Sequence, residues 1–270
     1  MAIKLMAFDM DGTLLDKNND ITENTLKALN LAEEKGINLA LITGRVYISP
    51  KKYKEVSNLN CSVASTNGGC IFDENGNKIY NAPLDKNQLN LSIDLLRETG
   101  MYFHLYPIDG LITPYKDNPS ATNRNRMPKG FDDLLKVRIM DFDEMKNLDE
   151  EIYKIIIIDN DNEKRLQFRK KLDEHGIYNS SSWINNIEIT SKYATKEIAI
   201  KKLAEHYGVD LKDVAAFGDN ENDIPMLNAV GHGFLMGNSP ESIRQMTNAK
   251  IIGNHDEEGV YNQLKEILGC

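Results

Sequence analysis

The chain has 270 residues, a formal net charge of −9, 41% hydrophobic residues and 27% charged residues. This is the composition of an ordinary globular protein, and it excludes the disordered, collagen-like and coiled-coil classes. The acidic balance excludes broad nucleic-acid binding, and no apolar run reaches the ~18 residues of a membrane span. Three cysteines without metal-ligand spacing indicate free thiols in a reducing compartment. We therefore predict a cytoplasmic protein that has neither nucleic acid nor a membrane as a partner.

The start of the chain has the pattern of a βαβ unit. Apolar runs at 3–8 and 37–42 predict two buried strands. The helix between them is predicted to begin with a capping box formed by Asp20 and Glu23. Because strand, helix and strand follow at this spacing, the two strands are expected to be parallel.

The middle of the chain predicts a different module. Residues 62–80 predict a hairpin with a turn at Asn67, and the elements beyond it lose the βαβ alternation. They are helices at 85–98 and 163–175 and strands at 101–106, 111–115, 151–158 and 183–190. This order indicates an α+β module inserted into the first domain.

From Thr195 onward the α/β pattern returns, and a strand at 214–217 is followed by Gly218-Asp219. The sequence thus predicts an α/β fold, a doubly wound parallel-sheet (Rossmann-like) core with an inserted α+β cap domain. The predicted boundaries give the core residues 1–81 and 190–270 and the cap residues 82–189.

Acidic side chains follow two of the predicted core strands. Asp9 and Asp11 come after the first strand, and Asp219 and Asp223 come after the strand at 214–217. Each pair alone could be a turn or a helix cap, but in an open α/β sheet this edge binds ligands. Four converging carboxylates repel one another unless a cation lies among them, and oxygen ligands without nearby His or Cys favour Mg²⁺. The sequence therefore predicts a magnesium site.

The same residues resemble the motifs of the haloacid-dehalogenase superfamily of phosphohydrolases. The segments that carry the resemblance are Phe8-Asp9-Met10-Asp11-Gly12-Thr13, Leu41-Ile42-Thr43-Gly44-Arg45, Lys196, and Gly218-Asp219-Asn220-Glu221-Asn222-Asp223. Two further segments are similar to the Cof-type subgroup, Thr66-Asn67-Gly68-Gly69 and Met236-Gly237-Asn238-Ser239. The resemblance covers the core and implies that the insertion is an α/β (C2-type) cap.

The resemblance implies a Mg²⁺-dependent phosphatase that forms an aspartyl-phosphate. Asp9 would be the nucleophile, and Asp11 would be the general acid and afterwards the base for water. The implied metal ligands are Asp9, the backbone carbonyl of Asp11, Asp219 and, directly or through water, Asp223. The implied phosphate-binding residues are Thr43, Gly44, Lys196 and Asn222. Lys192 is the alternative for the active-site lysine.

Other polar residues have a plainer interpretation. Arg45 is interpreted as a surface or helix-start charge, and Asn67 as a turn residue. A solvated loop and cap packing, rather than substrate contact, are the favoured interpretations of Arg124, Arg126, Lys129 and Trp183.

The favoured substrate is a small phosphorylated metabolite, with sugar phosphates as the preferred class. One alternative is a phosphomutase, which would return the phosphoryl group to a hexose phosphate instead of releasing inorganic phosphate. Another is a catalytically silent binding protein on the same fold, against which the intact Asp9, Asp11, Lys196 and Asp219 argue. The sequence predicts neither one particular substrate nor an oligomeric state.

Overall fold

The two apolar runs at the start of the chain form neighbouring strands of a large sheet. The computed structural model describes residues 3–116, 127–131, 134–181 and 185–270. The strands of this sheet are Leu5–Phe8 (β1), Asn38–Ile42 (β2), Cys61–Ser65 (β3), Cys70–Phe72 (β4), Lys78–Asn81 (β5), Val214–Gly218 (β12), His232–Leu235 (β13) and Lys250–Ile251 (β14). They lie in the order β14-β13-β12-β1-β2-β3-β4-β5, parallel from β14 to β3, with β4 and β5 antiparallel.

Helices cover both faces of this sheet. They are Glu23–Glu34 (α1), Ile48–Val56 (α2), Lys196–Tyr207 (α6), Ile224–Ala229 (α7), Glu241–Arg244 (α8) and Gly259–Leu268 (α9). Side chains of β1 alternate between the faces: Met6 and Phe8 pack with α1 and α9, and Leu5 and Ala7 pack with α6 and α7. Because both faces are buried, the strands are continuously apolar, and the predicted doubly wound core is confirmed.

The residues between β5 and α6 build a second sheet. Its strands are Tyr102–Tyr106 (β6), Gly110–Thr113 (β7), Lys136–Ile139 (β8), Lys154–Ile158 (β9), Asn179–Ser180 (β10) and Asn186–Thr190 (β11). They lie in the order β10-β11-β9-β6-β7-β8, and only the pairing of β7 with β8 is parallel. The helices Lys86–Thr99 (α3), Phe142–Lys146 (α4) and Asn162–Glu174 (α5) pack on one face. This is the predicted α+β insertion.

Some local predictions were incomplete or wrong. The helix α1 is capped by Thr22, whose side chain accepts a hydrogen bond from the Thr25 amide, so the capping box of Asp20 and Glu23 does not form. The elements α2, β8 and α4 were not predicted. The exact domain boundaries stay a prediction, although β5 ends at Asn81 and β11 at Thr190. Within the described part of the chain, every helix is too short or too polar to cross a membrane.

Candidate active site

The carboxyl ends of three neighbouring core strands bring the predicted site residues together. The strand β1 lies between β12 and β2, so Asp9, Thr43 and Asp219, which follow these strands, meet at one edge of the sheet. Gly12 has φ +75, and a Cβ there would lie 2.5 Å from Asp219 Oδ2. A side chain at position 12 would therefore displace Asp219, which explains why glycine follows Asp11.

Lys196 lies at the centre of a buried cluster of charges. Its Nζ donates hydrogen bonds to Asp9 Oδ1 and Asp223 Oδ1, each at 2.6 Å. The three side chains are at most 7% exposed. Lys192, the alternative, is exposed, and its Nζ lies 5.1 Å from the ring centroid of Tyr193. The geometry thus brings Lys196, and not Lys192, to the carboxylates.

The cluster has an excess of negative charge. Carboxylate oxygens of Asp9, Asp219 and Asp223 lie within 4.8 Å of one another. Burial raises the pKa of Asp9 well above its usual value; Lys196 opposes this rise, and the other carboxylates add to it. Burial and the charge of Asp223 likewise raise the pKa of Asp219 to about 7. Burial would lower the pKa of Lys196, but Asp223 and Asp9 raise it above its usual value. One lysine therefore does not neutralise these carboxylates, and a cation would.

Asp223 is held by the turn that carries it. Its Oδ2 accepts hydrogen bonds from the backbone amides of Asp219 at 3.1 Å and of Asn220 at 3.0 Å. Because Oδ1 accepts from Lys196, Asp223 fixes both the lysine and the start of the Asp219 turn.

The side chain of Asp11 contacts Arg45. Arg45 donates from Nε to Asp11 Oδ2 at 2.9 Å and from Nη2 to Asp11 Oδ1 at 2.6 Å. Its guanidinium also contacts Ser49 Oγ at 3.2 Å and lies 5.2 Å from the ring centroid of Tyr53. Arg45 is only 2% exposed. Its interpretation as a surface charge was therefore wrong, because the bidentate contact and the Tyr53 ring bury it.

The residues predicted to bind phosphate lie around the end of β2. Thr43 is fully buried, and its Oγ1 accepts a hydrogen bond from the Arg45 amide at 3.2 Å. Asn222 Nδ2 donates to Asn67 Oδ1 at 3.2 Å, and a Cβ on Gly44 would lie 3.2 Å from that oxygen. Asn67 has φ +58 and does lie in a turn, as predicted, but it also reaches the site.

Two charged residues of the site were missed by the sequence analysis. A cavity of about 280 Å³ is lined by Asp9, Asp11, Gly44, Asn67, Lys154, Glu188, Lys196, Asp219, Asn220 and Asn222. Lys154 and Glu188 come from β9 and β11 of the inserted sheet and are 2% and 3% exposed. A lysine directly before four isoleucines was a detectable signal, because a charge in a buried strand needs a partner.

The remaining polar candidates do not contribute to this description. Lys129 is exposed, in agreement with a solvated loop. Arg124, Arg126 and Trp183 lie outside the described residues.

A doubly wound core, an inserted α+β domain and a buried carboxylate–lysine cluster at the strand ends define a class of hydrolases. The family model of haloacid dehalogenase-like hydrolases matches residues 6–264, so the chain belongs to this family. It is 30% identical to "Phosphatase YwpJ" of Bacillus subtilis, over 98% of this chain and 100% of that protein. It is 29% identical to "HMP-PP phosphatase" of Yersinia pseudotuberculosis, over 98% of this chain and 95% of that one.

The fold has a close match among solved structures. A haloacid dehalogenase-like hydrolase from B. subtilis superposes with a TM-score of 0.86 and 27% identity, over 97% of this chain and 99% of that one. The resemblance found in the sequence is thereby confirmed, and the chain is a phosphoric monoester hydrolase.

Proposed function

We propose that this enzyme hydrolyses phosphomonoesters of small metabolites through an aspartyl-phosphate on Asp9, with Mg²⁺ as its cofactor. The observation that carries the proposal is the buried cluster in which Lys196 contacts Asp9 and Asp223 beside Asp219. The names of the two relatives, both phosphatases, support the reaction type.

The donor set fits a hard divalent cation. The proposed ligands are the carboxylates of Asp9 and Asp219 and the backbone carbonyl of Asp11, with Asp223 contributing directly or through water. All are oxygen donors, the type that Mg²⁺ prefers. Burial and the neighbouring carboxylates raise the pKa values of Asp9 and Asp219, and a divalent cation among them would offset this repulsion. When bound, Mg²⁺ supplies positive charge that offsets the charges of phosphate and carboxylates.

Asp9 and Asp11 divide the chemistry between them. Asp9 attacks phosphorus, and the bond between phosphorus and the leaving oxygen breaks as the Asp11 carboxyl group gives that oxygen its proton. In the second step, water attacks phosphorus, Asp11 takes its proton, and the bond to Asp9 breaks to release inorganic phosphate. Arg45 donates hydrogen bonds to both oxygens of Asp11, and this contact favours the ionised carboxylate that takes the proton from water. For the first step, Asp11 must carry its proton on an oxygen that has left Arg45.

Lys196, Thr43, Gly44 and Asn222 are proposed to bind the transferring phosphoryl group. The ammonium of Lys196 is rigidly held and already oriented by two carboxylates, so it stabilises charge without reorganisation. The hydroxyl of Thr43, the amide of Gly44 and the side-chain amide of Asn222 offer neutral donors beside it.

The cavity supports a small substrate, and sugar phosphates are the proposed class. A volume of about 280 Å³ lies just below the roughly 300–1,000 Å³ of small-molecule sites. The inserted domain contributes Lys154 and Glu188 to the lining of this cavity. Water as the final acceptor distinguishes this function from that of a phosphomutase.

The proposal is tested by measuring phosphate release from a panel of phosphorylated metabolites with Mg²⁺ and with a chelator. Activity is expected only with the metal, and Asp9→Asn should reduce it to background. Asp11→Asn should still form the phospho-enzyme from p-nitrophenyl phosphate, whose leaving group needs no proton, and should then hydrolyse it slowly. Full turnover in the chelator, or a phospho-enzyme on Asp9→Asn, would contradict the mechanism.

A further inference from the structure

The inserted sheet supplies one wall of the active-site cavity. In β9 and β11, the isoleucines Ile155, Ile157, Ile187 and Ile189 pack under the helices of the insertion. Lys154 and Glu188 alternate with them and therefore point to the opposite face, which lines the cavity. Lys154 is paired with Thr190 and Ile156 with Glu188, so the two charged residues are diagonal neighbours on one face.

This wall is a fixed arrangement of charges and hydrogen bonds. Lys154 Nζ donates to the Gly44 carbonyl at 2.9 Å, contacts Glu188 Oε2 at 3.4 Å and lies 5.2 Å from the Tyr106 ring centroid. Asn186 Nδ2 donates to Glu188 Oε1 at 3.3 Å. Both oxygens of Glu188 are therefore oriented, and the charge of Lys154 is offset by a carboxylate and a carbonyl.

We propose that Glu188, held by Lys154 and Asn186, selects the leaving group of the substrate. It accepts a hydrogen bond from a hydroxyl of the leaving group and disfavours a leaving group that carries a second anion. This inference rests on the proposed phosphatase function, because it needs a phosphoryl group on the Asp9 side of the same cavity.

The chemistry of a carboxylate explains both halves of the proposal. An ionised carboxylate offers about four acceptor positions and no donor, so it can bind more than one hydrogen-bond donor at once. A hydroxyl supplies such a donor, whereas a carboxylate or second phosphate brings like charge into a buried site. A substrate that lacks the hydroxyl forgoes this hydrogen bond, and a site that hydrogen-bonds a substrate hydroxyl discriminates strongly against an analogue without it.

Three probes with the same three-carbon chain separate these effects. Glycerol 3-phosphate carries two hydroxyls. In 3-phosphoglycerate a carboxylate stands in place of the terminal CH2OH group, and one hydroxyl remains. Propyl phosphate has neither a hydroxyl nor a carboxylate. The wild type should prefer glycerol 3-phosphate to 3-phosphoglycerate by about 10²-fold in kcat/KM. Glu188→Gln should reduce this ratio by about tenfold or more, while kcat/KM for propyl phosphate should change less than about threefold. Glu163→Gln, an exposed glutamate of α5, is the matched control and should leave the ratio unchanged.

The outcomes separate this inference from the proposed function. Loss of activity toward all three probes by the same factor, or an unaltered ratio in Glu188→Gln, would show that the pair is merely structural. Absence of phosphate release from every probe by the wild type would instead contradict the proposed function itself. The double substitution Lys154→Met with Glu188→Gln removes both charges together, so it avoids an unpaired buried charge and allows the same ratio test; its Tm, measured beside that of Glu188→Gln, shows that the protein is folded.

Discussion

Replacing Lys196 by methionine is the sharpest perturbation of the buried cluster. The substitution keeps an unbranched side chain, one heavy atom shorter, but removes an ammonium that is 2.6 Å from each of two carboxylates. Asp9 and Asp223 then remain buried without their shared counter-charge. The protein should lose both stability and activity, because the lysine offsets the charges of Asp9 and Asp223 in the resting enzyme and, as proposed, part of the charge of the phosphoryl group during the reaction.

The size of the stability loss follows from the burial. Removing one member of a buried ion pair costs about 3–5 kcal/mol. At about 2.1 cal/mol/K per residue, unfolding 270 residues corresponds to about 0.57 kcal/mol/K, so Tm should fall by roughly 5–9 °C. Without the lysine, the pKa of Asp9 lies still further above its unfolded value. An acid whose pKa is higher in the folded state contributes less to the free energy of unfolding as the pH rises. The loss of stability in Lys196→Met should therefore be larger at pH 8 than at pH 5.

Lys192→Met is the matched control, since this lysine is four residues earlier and exposed. Its Tm should be within about 1 °C of the wild type, because an exposed substitution changes stability by about 0.5 kcal/mol or less. In a Mg²⁺-dependent p-nitrophenyl phosphate assay, kcat should fall at least about 10²-fold in Lys196→Met and stay unchanged in Lys192→Met. Activity that survives in Lys196→Met and disappears in Lys192→Met would refute the reasoning.

Three further predictions concern the metal, the phosphate site and the thiols. The pKa of Asp219 of about 7 in the metal-free protein lies above the unfolded value, so its contribution to stability declines as the pH rises from about 4 to 7. Because Mg²⁺ needs the ionised form, the increase in Tm that Mg²⁺ causes should be larger at pH 8 than at pH 5.5, and an equal increase at both would contradict this. Thr43→Ala should lower kcat by roughly 10²–10³ in the p-nitrophenyl phosphate assay, and an unchanged kcat would exclude Thr43 as a donor to the phosphoryl group. Burial raises the pKa of Cys61 to about 12 and of Cys70 to about 11, whereas Cys270 is exposed. Thiol titration at pH 8 should find one reactive group in the native protein and three after denaturation, and a second fast group in the native protein would be inconsistent with the burial.

The core half of the site could be predicted because its residues follow strands directly. Asp9, Thr43 and Asp219 each come at the end of an apolar run, and parallel strands bring such ends to one edge whatever lies between them. The strand-end placements depend on local pattern and on a general property of parallel sheets, and both can be obtained from one sequence. Lys196 was assigned by the family resemblance, with Lys192 as the alternative, and local pattern predicted only the helix that it begins.

Arg45 shows where local pattern is insufficient. It follows Gly44 in a polar turn before α2, a position at which an exposed arginine is ordinary. Its partners come from tertiary structure: Asp11, 34 residues earlier, accepts its hydrogen bonds, and its guanidinium lies 5.2 Å from the ring centroid of Tyr53. The missed strand β8 has the same cause: the segment Lys136–Ile139 is largely exposed, and only its parallel pairing with β7 makes it a strand.

The proposed substrate-selecting wall is harder to predict than the burial of Arg45 or the strand β8, because it depends on the register of two strands. Lys154 next to a run of isoleucines implies a buried partner, yet the sequence does not say that the partner is Glu188, 34 residues later. The pairing of Ile156 with Glu188 places both charges on the face that lines the cavity. A shift of one residue would turn Glu188 toward the helices of the insertion and expose Ile187 or Ile189 to the site. The choice of leaving group would thus be encoded in strand pairing, so relatives that keep every core motif can still differ in substrate.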